Sequence, residues 1–357
     1  MKKTFRILLP ILFVAIISAG VVTVIGKSDL NVKGSEKNSS FSKTGDTGLN
    51  STETTGEIIF GSYPQSRVTD SAIISKLDGV TKKWISYGYY SGTGELDDGN
   101  MKSSDYMQYA DITYGGNKYR AVTFSEYRPY STGYKSSPDN SYQNDNGYYA
   151  GNVYYFKYEP LKWRVLDAST GFVVCDSVID SQAYQNTLYY SRNPNLILYN
   201  SKDCKNNASD WETSSLRKWL NEDFYNTAFN KPQQNCIQEL TRDNKSKNDS
   251  KYDSNPTSDK ITLLSYWDVI NTSYGFNPSN DIHDTARYRK STDYAQCQGV
   301  YTREGSSWWL RSPFSSYMSA IVDNVGLAEY SSDVNRPDQG VVPALNLYNL
   351  ESIISEN

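Results

Sequence analysis

One histidine in 357 residues is the sharpest shortage in this sequence. It excludes His-rich zinc sites, di-iron sites with paired histidines and any scheme needing two imidazoles. Cysteine is scarce too. Cys175, Cys204, Cys236 and Cys297 form no C-x-x-C pair, which removes dithiol redox motifs and zinc ribbons. No basic surplus exists, since 36 Lys and Arg face 40 Asp and Glu, so nothing marks a nucleic-acid surface. Phosphate loops, nucleotide fingerprints and G-x-S-x-G elbows are missing, as are internal repeats. Charged residues stand at only 21%. Tyrosine takes their place: 31 residues of it, with Ser and Asn, build the polar surface. Aromatics at 14% supply apolar area to bury and argue against a wholly disordered chain.

The N-terminus sets an expectation about compartment. Lys2, Lys3 and Arg6 precede an uncharged apolar run over residues 7–26. A basic start before such a run is a secretion signal, and its length is close to the ~20 residues that span a bilayer. Ser18-Ala19-Gly20 offers small residues for cleavage but no A-x-A pattern, so residues 1–26 are read as either a cleaved signal peptide or a retained membrane anchor. Basic residues ahead of the run place the remainder outside the cytoplasm, secreted or at the cell surface. Residues 27–56 are mostly Ser, Thr, Gly and Asn without Tyr or Trp, which reads as a disordered linker. Folded sequence begins at Glu57-Ile58-Ile59-Phe60.

Beyond that point the pattern predicts an α+β chain: a small β-rich subdomain over 57–150, then a second domain over 151–350. Asp70 caps a short helix carrying Ile73, Ile74 and Leu77, which Gly79 stops. Alternating runs flank Gly115-Gly116-Asn117 as a hairpin. Residues 129–147 read as a long loop whose Asp and Asn invite a calcium reading, although the EF-hand order is missing. No other cofactor or metal is called for. In the second part, 154–158 and 161–166 are strand-like with Pro160 breaking them. Leu216, Trp219, Leu220 and Phe224 recur at helical spacing behind Asp210 and Thr213. Asn230 and Pro232 start a second helix that would bury Cys236, Ile237 and Leu240. Strands follow at 261–264, 308–313, 320–324, 327–330 and 341–347, with polar helical turns over 281–294.

Five segments carry a resemblance. They are Phe60-Gly61-Ser62-Tyr63-Pro64-Gln65, Tyr158-Glu159-Pro160-Leu161-Lys162-Trp163-Arg164-Val165-Leu166, Trp211-Glu212-Thr213-Ser214-Ser215-Leu216-Arg217-Lys218-Trp219-Leu220-Asn221, Trp308-Trp309-Leu310-Arg311-Ser312-Pro313 and Gly340-Val341-Val342-Pro343-Ala344-Leu345. In this order they resemble an uncharacterised bacterial surface family, domain of unknown function 6273, with Val342 standing where the usual form has Arg. Trp163, Arg164, Trp211, Trp219, Trp308, Trp309 and Arg311 are its structural motif residues here. A helix pair followed by a tryptophan strand is also similar to the C-type-lectin-like fold of formylglycine-generating enzymes and bacterial ligand-binding proteins. The resemblance implies a C-terminal domain of two helices packed on short antiparallel strands with long loops. Fold alone does not fix function.

Candidate chemistry is weighed residue by residue. Cys204 and Cys297, both in polar loop contexts, are the pair expected in a disulfide, whereas Cys175 and Cys236 read as buried thiols. A copper-thiolate site has no motif. His283 could in principle activate Cys297 or a serine, but a lone His in a polar segment is ordinarily a surface residue. Glu159, Asp167, Glu212 and Asp323 are available for glycoside cleavage, yet spacing does not bring any two together. Trp308 and Trp309 are read as packed, and Arg311 as a loop brace. The ligand-binding candidates are Tyr317, Tyr330, Asp333, Asn335, Arg336 and Asp338, because Tyr, Ser and Asn on loops compose adaptable binding surfaces. The reading is a non-catalytic extracellular binding module of a bacterial surface, taking a glycan or a protein through these loops. It binds no nucleic acid and meets the membrane only through its N-terminal segment. The alternatives are an enzyme of formylglycine-generating or glycosidase type, and a structural envelope protein. A binder needs only exposed loops, whereas an enzyme needs convergent carboxylates or thiols in a cleft.

Overall fold

The computed structural model of the protein describes residues 33–34, 56–87, 107–131, 136–185 and 207–350. In chain order the strands are β1 (Lys33–Gly34), β2 (Gly56–Arg67), β3 (Ile85–Ser86), β4 (Met107–Tyr114), β5 (Asn117–Phe124), β6 (Val153–Asp167), β7 (Phe172–Cys175), β8 (Asp180–Ser181) and β9 (Ile237–Gln238). They continue as β10 (Leu240–Asn244), β11 (Ser254–Asp259), β12 (Ile261–Leu263), β13 (Trp308–Pro313), β14 (Met318–Val322), β15 (Ser331–Asp333), β16 (Gly340–Val341) and β17 (Pro343–Leu347). The helices are α1 (Ser71–Asp78), α2 (Tyr142–Asp145), a helical run over 215–228 with a π turn at its centre (α3), α4 (Lys231–Gln234) and α5 (Asp293–Cys297).

The 15-residue β6 organises the larger, ten-stranded sheet. One edge of β6 pairs antiparallel with β2; the other pairs first with β5 and then with β7. From there the sheet extends through β5-β4-β3 on one side and β7-β17-β12 on the other. The turn between β4 and β5 works because Gly115 and Gly116 both take positive φ, 57° and 79°, so the expected hairpin forms with Tyr114 opposite Asn117. Asp70 caps α1 through Ala72 N–H and Ile73 N–H, and Gly79 ends it, as the sequence predicts. A second sheet runs β15-β14-β13-β16-β8, with β13 and β16 parallel and its other pairs antiparallel.

The α+β, C-type-lectin-like expectation is overturned. Among the described residues the structure is mainly antiparallel sheet, 37% strand against 19% helix, and they hold no pair of helices packed on strands. The predicted second helix shows the physical reason. Asn230 does cap a helix, with a reciprocal capping box to Gln233, but α4 stops after four residues. Ile237 then pairs in β9 with Leu347 of β17, so the apolar spacing of Cys236, Ile237 and Leu240 serves strand burial instead of a helix face. Helical period in a short apolar run does not distinguish the two. The polar turns expected over 281–294 become helical only at α5.

Pro160 does not break its strand either; β6 passes straight through it. The proline stands opposite Ser62, beside the irregularity of β2, and on its other edge it falls in the gap between the β5 and β7 partners, where the ladder asks for no N–H. Gly61 sits in that irregularity with φ of 76°, and a Cβ there would stand 2.5 Å from the Phe229 ring. The expected subdomain boundary at 150 lies just before β6, whose partners come from both sides of it. Among the described residues no helix is long and apolar enough to cross a membrane. The run over 7–26 and most of the linker over 27–56 lie outside the described residues.

Candidate functional site

A cavity of about 260 Å³ opens between the β2, β4 and β5 strands of the large sheet and the face of α3. Its lining is aromatic and polar together: Tyr63, Tyr87, Tyr109 and Trp219 supply rings, and Arg120, Asp180, Gln182, Lys218 and Asp223 supply charge and hydrogen bonds. Sequence places these groups through register. In the β4–β5 hairpin Asp111 lies directly opposite Arg120, and a facing opposite-charge pair is favourable on a sheet.

Arg120 is almost fully buried, and Asp111 grips it from two sides, Nε to Oδ1 at 2.8 Å and Nη2 to Oδ2 at 3.0 Å. Nη2 also donates to the Tyr158 hydroxyl at 2.9 Å, and Tyr158 donates to Asp111 at 2.7 Å. Burial works against the Asp111 carboxylate. The Arg120 hydrogen bonds and charge outweigh it and hold the acid below its ordinary range. The guanidinium lies 4.3 Å from the centre of the Tyr109 ring, so one side of that ring is already occupied by a cation.

Asp180 sits at the cavity floor, on β8, and is fully buried. Its Oδ2 accepts from the Tyr63 hydroxyl at 2.7 Å, while Oδ1 accepts from Ser181 N–H at 2.7 Å and Gln182 Nε2 at 3.2 Å. Burial nevertheless pushes its pKa up to about 6, against those hydrogen bonds and the nearby Arg128 and Arg120 charges. Above the floor, Trp219 stacks on Phe224 with centroids 5.7 Å apart, and the Tyr87 hydroxyl meets that of Tyr294 at 2.8 Å. Asp223 stands at the rim. Burial first, and then neighbouring Glu222, raise its pKa.

The loop candidates are placed differently. Arg336 is bound to Asp338 and Asp338 is 2% exposed, so this pair braces its own turn. Asn335 is half-buried in that turn, Asp333 is exposed at the end of β15, and the Tyr317 and Tyr330 rings are 37% and 47% exposed. Arg336 and Asp338 are brought together by side-chain bonds.

Trp163, Trp211, Trp308 and Trp309 are fully buried. Their ring N–H groups donate to Phe60 O, Asp259 Oδ2, Arg287 O and Gln182 O. Arg311 braces loops through Leu263 O at 2.7 Å and Asp268 at 2.8 Å. Arg164 packs 4.3 Å over Phe276; burial, then Arg289, bring its pKa down to about 10. Cys175, Cys236 and Cys297 carry free, buried thiols, each held above its ordinary pKa by burial. Cys204, the partner expected for Cys297, lies outside the described residues. His283 is exposed and its Nδ1 meets Val325 O at 3.1 Å. Glu159, Asp167, Glu212 and Asp323 each accept hydrogen bonds near their own strands or turns. Among the described residues no three His, Cys, Asp or Glu side chains converge as a metal site.

Sequence reasoning missed this cavity, although Tyr63 and Trp219 stood in quoted motifs. The usable signal was the hairpin register that sets Asp111 against Arg120. A family model described as a domain of unknown function (DUF6273) matches residues 185–349. Trp219, Lys218 and Asp223 fall within the matched stretch, whereas Tyr63, Tyr109, Arg120 and Asp180 precede it. No curated protein and no solved structure matches the chain.

Proposed function

We propose that this protein is a non-catalytic binding module that holds one saccharide unit in the cavity beneath α3. A bacterial surface, reached by export on the N-terminal apolar segment, is the setting proposed with it. The observation that carries the reading is the lining itself: aromatic rings for the CH faces of a sugar, set among amide, hydroxyl and carboxylate groups that match its hydroxyls. A space of about 260 Å³ holds roughly nine waters' share of liquid volume, which suits one sugar ring better than a chain of them.

Asp180 argues for binding over glycoside cleavage. A general acid must present its proton to the substrate, yet both Asp180 oxygens are occupied by protein donors. In a calorimetric screen of the full chain against mono- and oligosaccharides, Trp219→Ala is expected to weaken binding by about tenfold or more. Tyr330→Ala should leave affinity unchanged. Loss of binding in Tyr330→Ala alone would move the site to the 313–340 loops, and absence of binding by every saccharide would sink the reading.

A further inference from the structure

The cavity's charges are unequally satisfied, and that inequality selects among saccharides. Its two lining cations are both committed: Arg120 to Asp111, and Lys218 to Glu222 one turn along α3. Of its two lining carboxylates, Asp180 is covered by three donors and lies in the field of Arg128 and Arg120. Asp223 makes no hydrogen bond or ion pair with any described residue, although it shares the lining with the Trp219 and Tyr109 rings. The surplus charge at the mouth is therefore a single carboxylate beside aromatic faces.

We infer that the cavity takes a saccharide bearing a free amino group, with the Asp223 carboxylate as counter-ion to its ammonium. The inference rests on the saccharide reading above and narrows it. An ammonium gains a charge-assisted hydrogen bond to Asp223 and a favourable approach to the Trp219 ring. A neutral sugar brings no charge to pair with the carboxylate and gains nothing from it beyond an ordinary hydrogen bond. An acidic sugar meets it with Arg120 held in a buried pair and only the exposed Lys218, shared with Glu222, to answer.

The test compares three matched oligomer series by titration calorimetry on the full chain: glucosamine, N-acetylglucosamine and glucose. Glucosamine oligomers are expected to bind about tenfold more tightly than the other two at low salt. Asp223→Asn should erase that preference, bringing the three series to within about twofold of one another; the residue is exposed, so the variant keeps the fold. Equal affinity for the amino and acetylated series, or a preference that survives Asp223→Asn, would overturn the ammonium inference and leave the saccharide reading standing. Binding by none of the three series would remove both.

Discussion

Arg287→Met is expected to destabilise the protein by roughly 4–6 kcal/mol, read as a loss of unfolding free energy in urea. The residue is completely buried, and all five of its N–H groups are spent. Nε donates to Gly326 O at 2.9 Å, Nη1 to Val269 O and Asn277 O at 3.2 and 3.1 Å, and Nη2 to Ser279 O and Ile282 O at 2.9 and 2.7 Å. One side chain thus replaces the backbone ladder that these loops lack. Methionine matches much of the volume but leaves five carbonyls without that donor, at about 1–3 kcal/mol for each that water cannot reach. Arg287→Lys should recover only part of the loss, because an ammonium has three donors and no planar fork. Amide exchange over 269–282 should accelerate in both variants. A methionine variant within 1 kcal/mol of wild type would show that Asp284, which accepts from Asn277 N–H at 2.8 Å and Ala286 N–H at 2.8 Å, holds the loops by itself.

That bracket explains why much of the architecture was hidden from a reading of the sequence. Local signals were legible where chemistry is local: Asp70 and Gly79 bound α1, and Gly115-Gly116 closes the β4–β5 hairpin. Leu216, Leu220 and Phe224 lie on one buried face of α3, as their spacing predicts. The failures came where distant pairing overrode local pattern. Ile237 looks helical until β17 arrives to pair with it, and Pro160 looks like a stop until β2 bulges beside it. The cavity was least legible. Tyr63, Tyr109, Arg120, Asp180 and Trp219 come from five separate elements, and only the sheet order makes them neighbours. Among the loop candidates, Arg336 and Asp338 are two residues apart and bind each other.

Asp180→Asn should flatten one component of the pH dependence of stability, and the sign of the effect is opposite to that of an ordinary ion-paired carboxylate. The folded-state pKa is about 6 and the unfolded value is 3.8. Below about pH 4 the acid is protonated in both states, and the buried neutral form carries no penalty. Between the two values the folded protein binds the extra proton, so this residue's contribution falls as pH rises through the window. Above about pH 6 the loss is complete, at roughly 3 kcal/mol for a shift of about two units. Asparagine never charges. Its Oδ1 still accepts from Ser181 N–H and Gln182 Nε2, and its amide donates to the Tyr63 hydroxyl, whose own hydrogen turns towards the cavity. Asp111 and Asp268, whose pKa values are lowered in the folded protein, give slopes of the opposite sign in both proteins and cancel in the difference. Unfolding free energies measured at pH 4 and pH 7 should therefore diverge, with the variant gaining roughly 2 kcal/mol on wild type across that interval. Parallel curves would mean that Asp180 is charged in the folded protein at pH 4 as well. The floor of the cavity would then carry a second negative charge throughout that range, and the preference for an ammonium-bearing sugar should persist to lower pH.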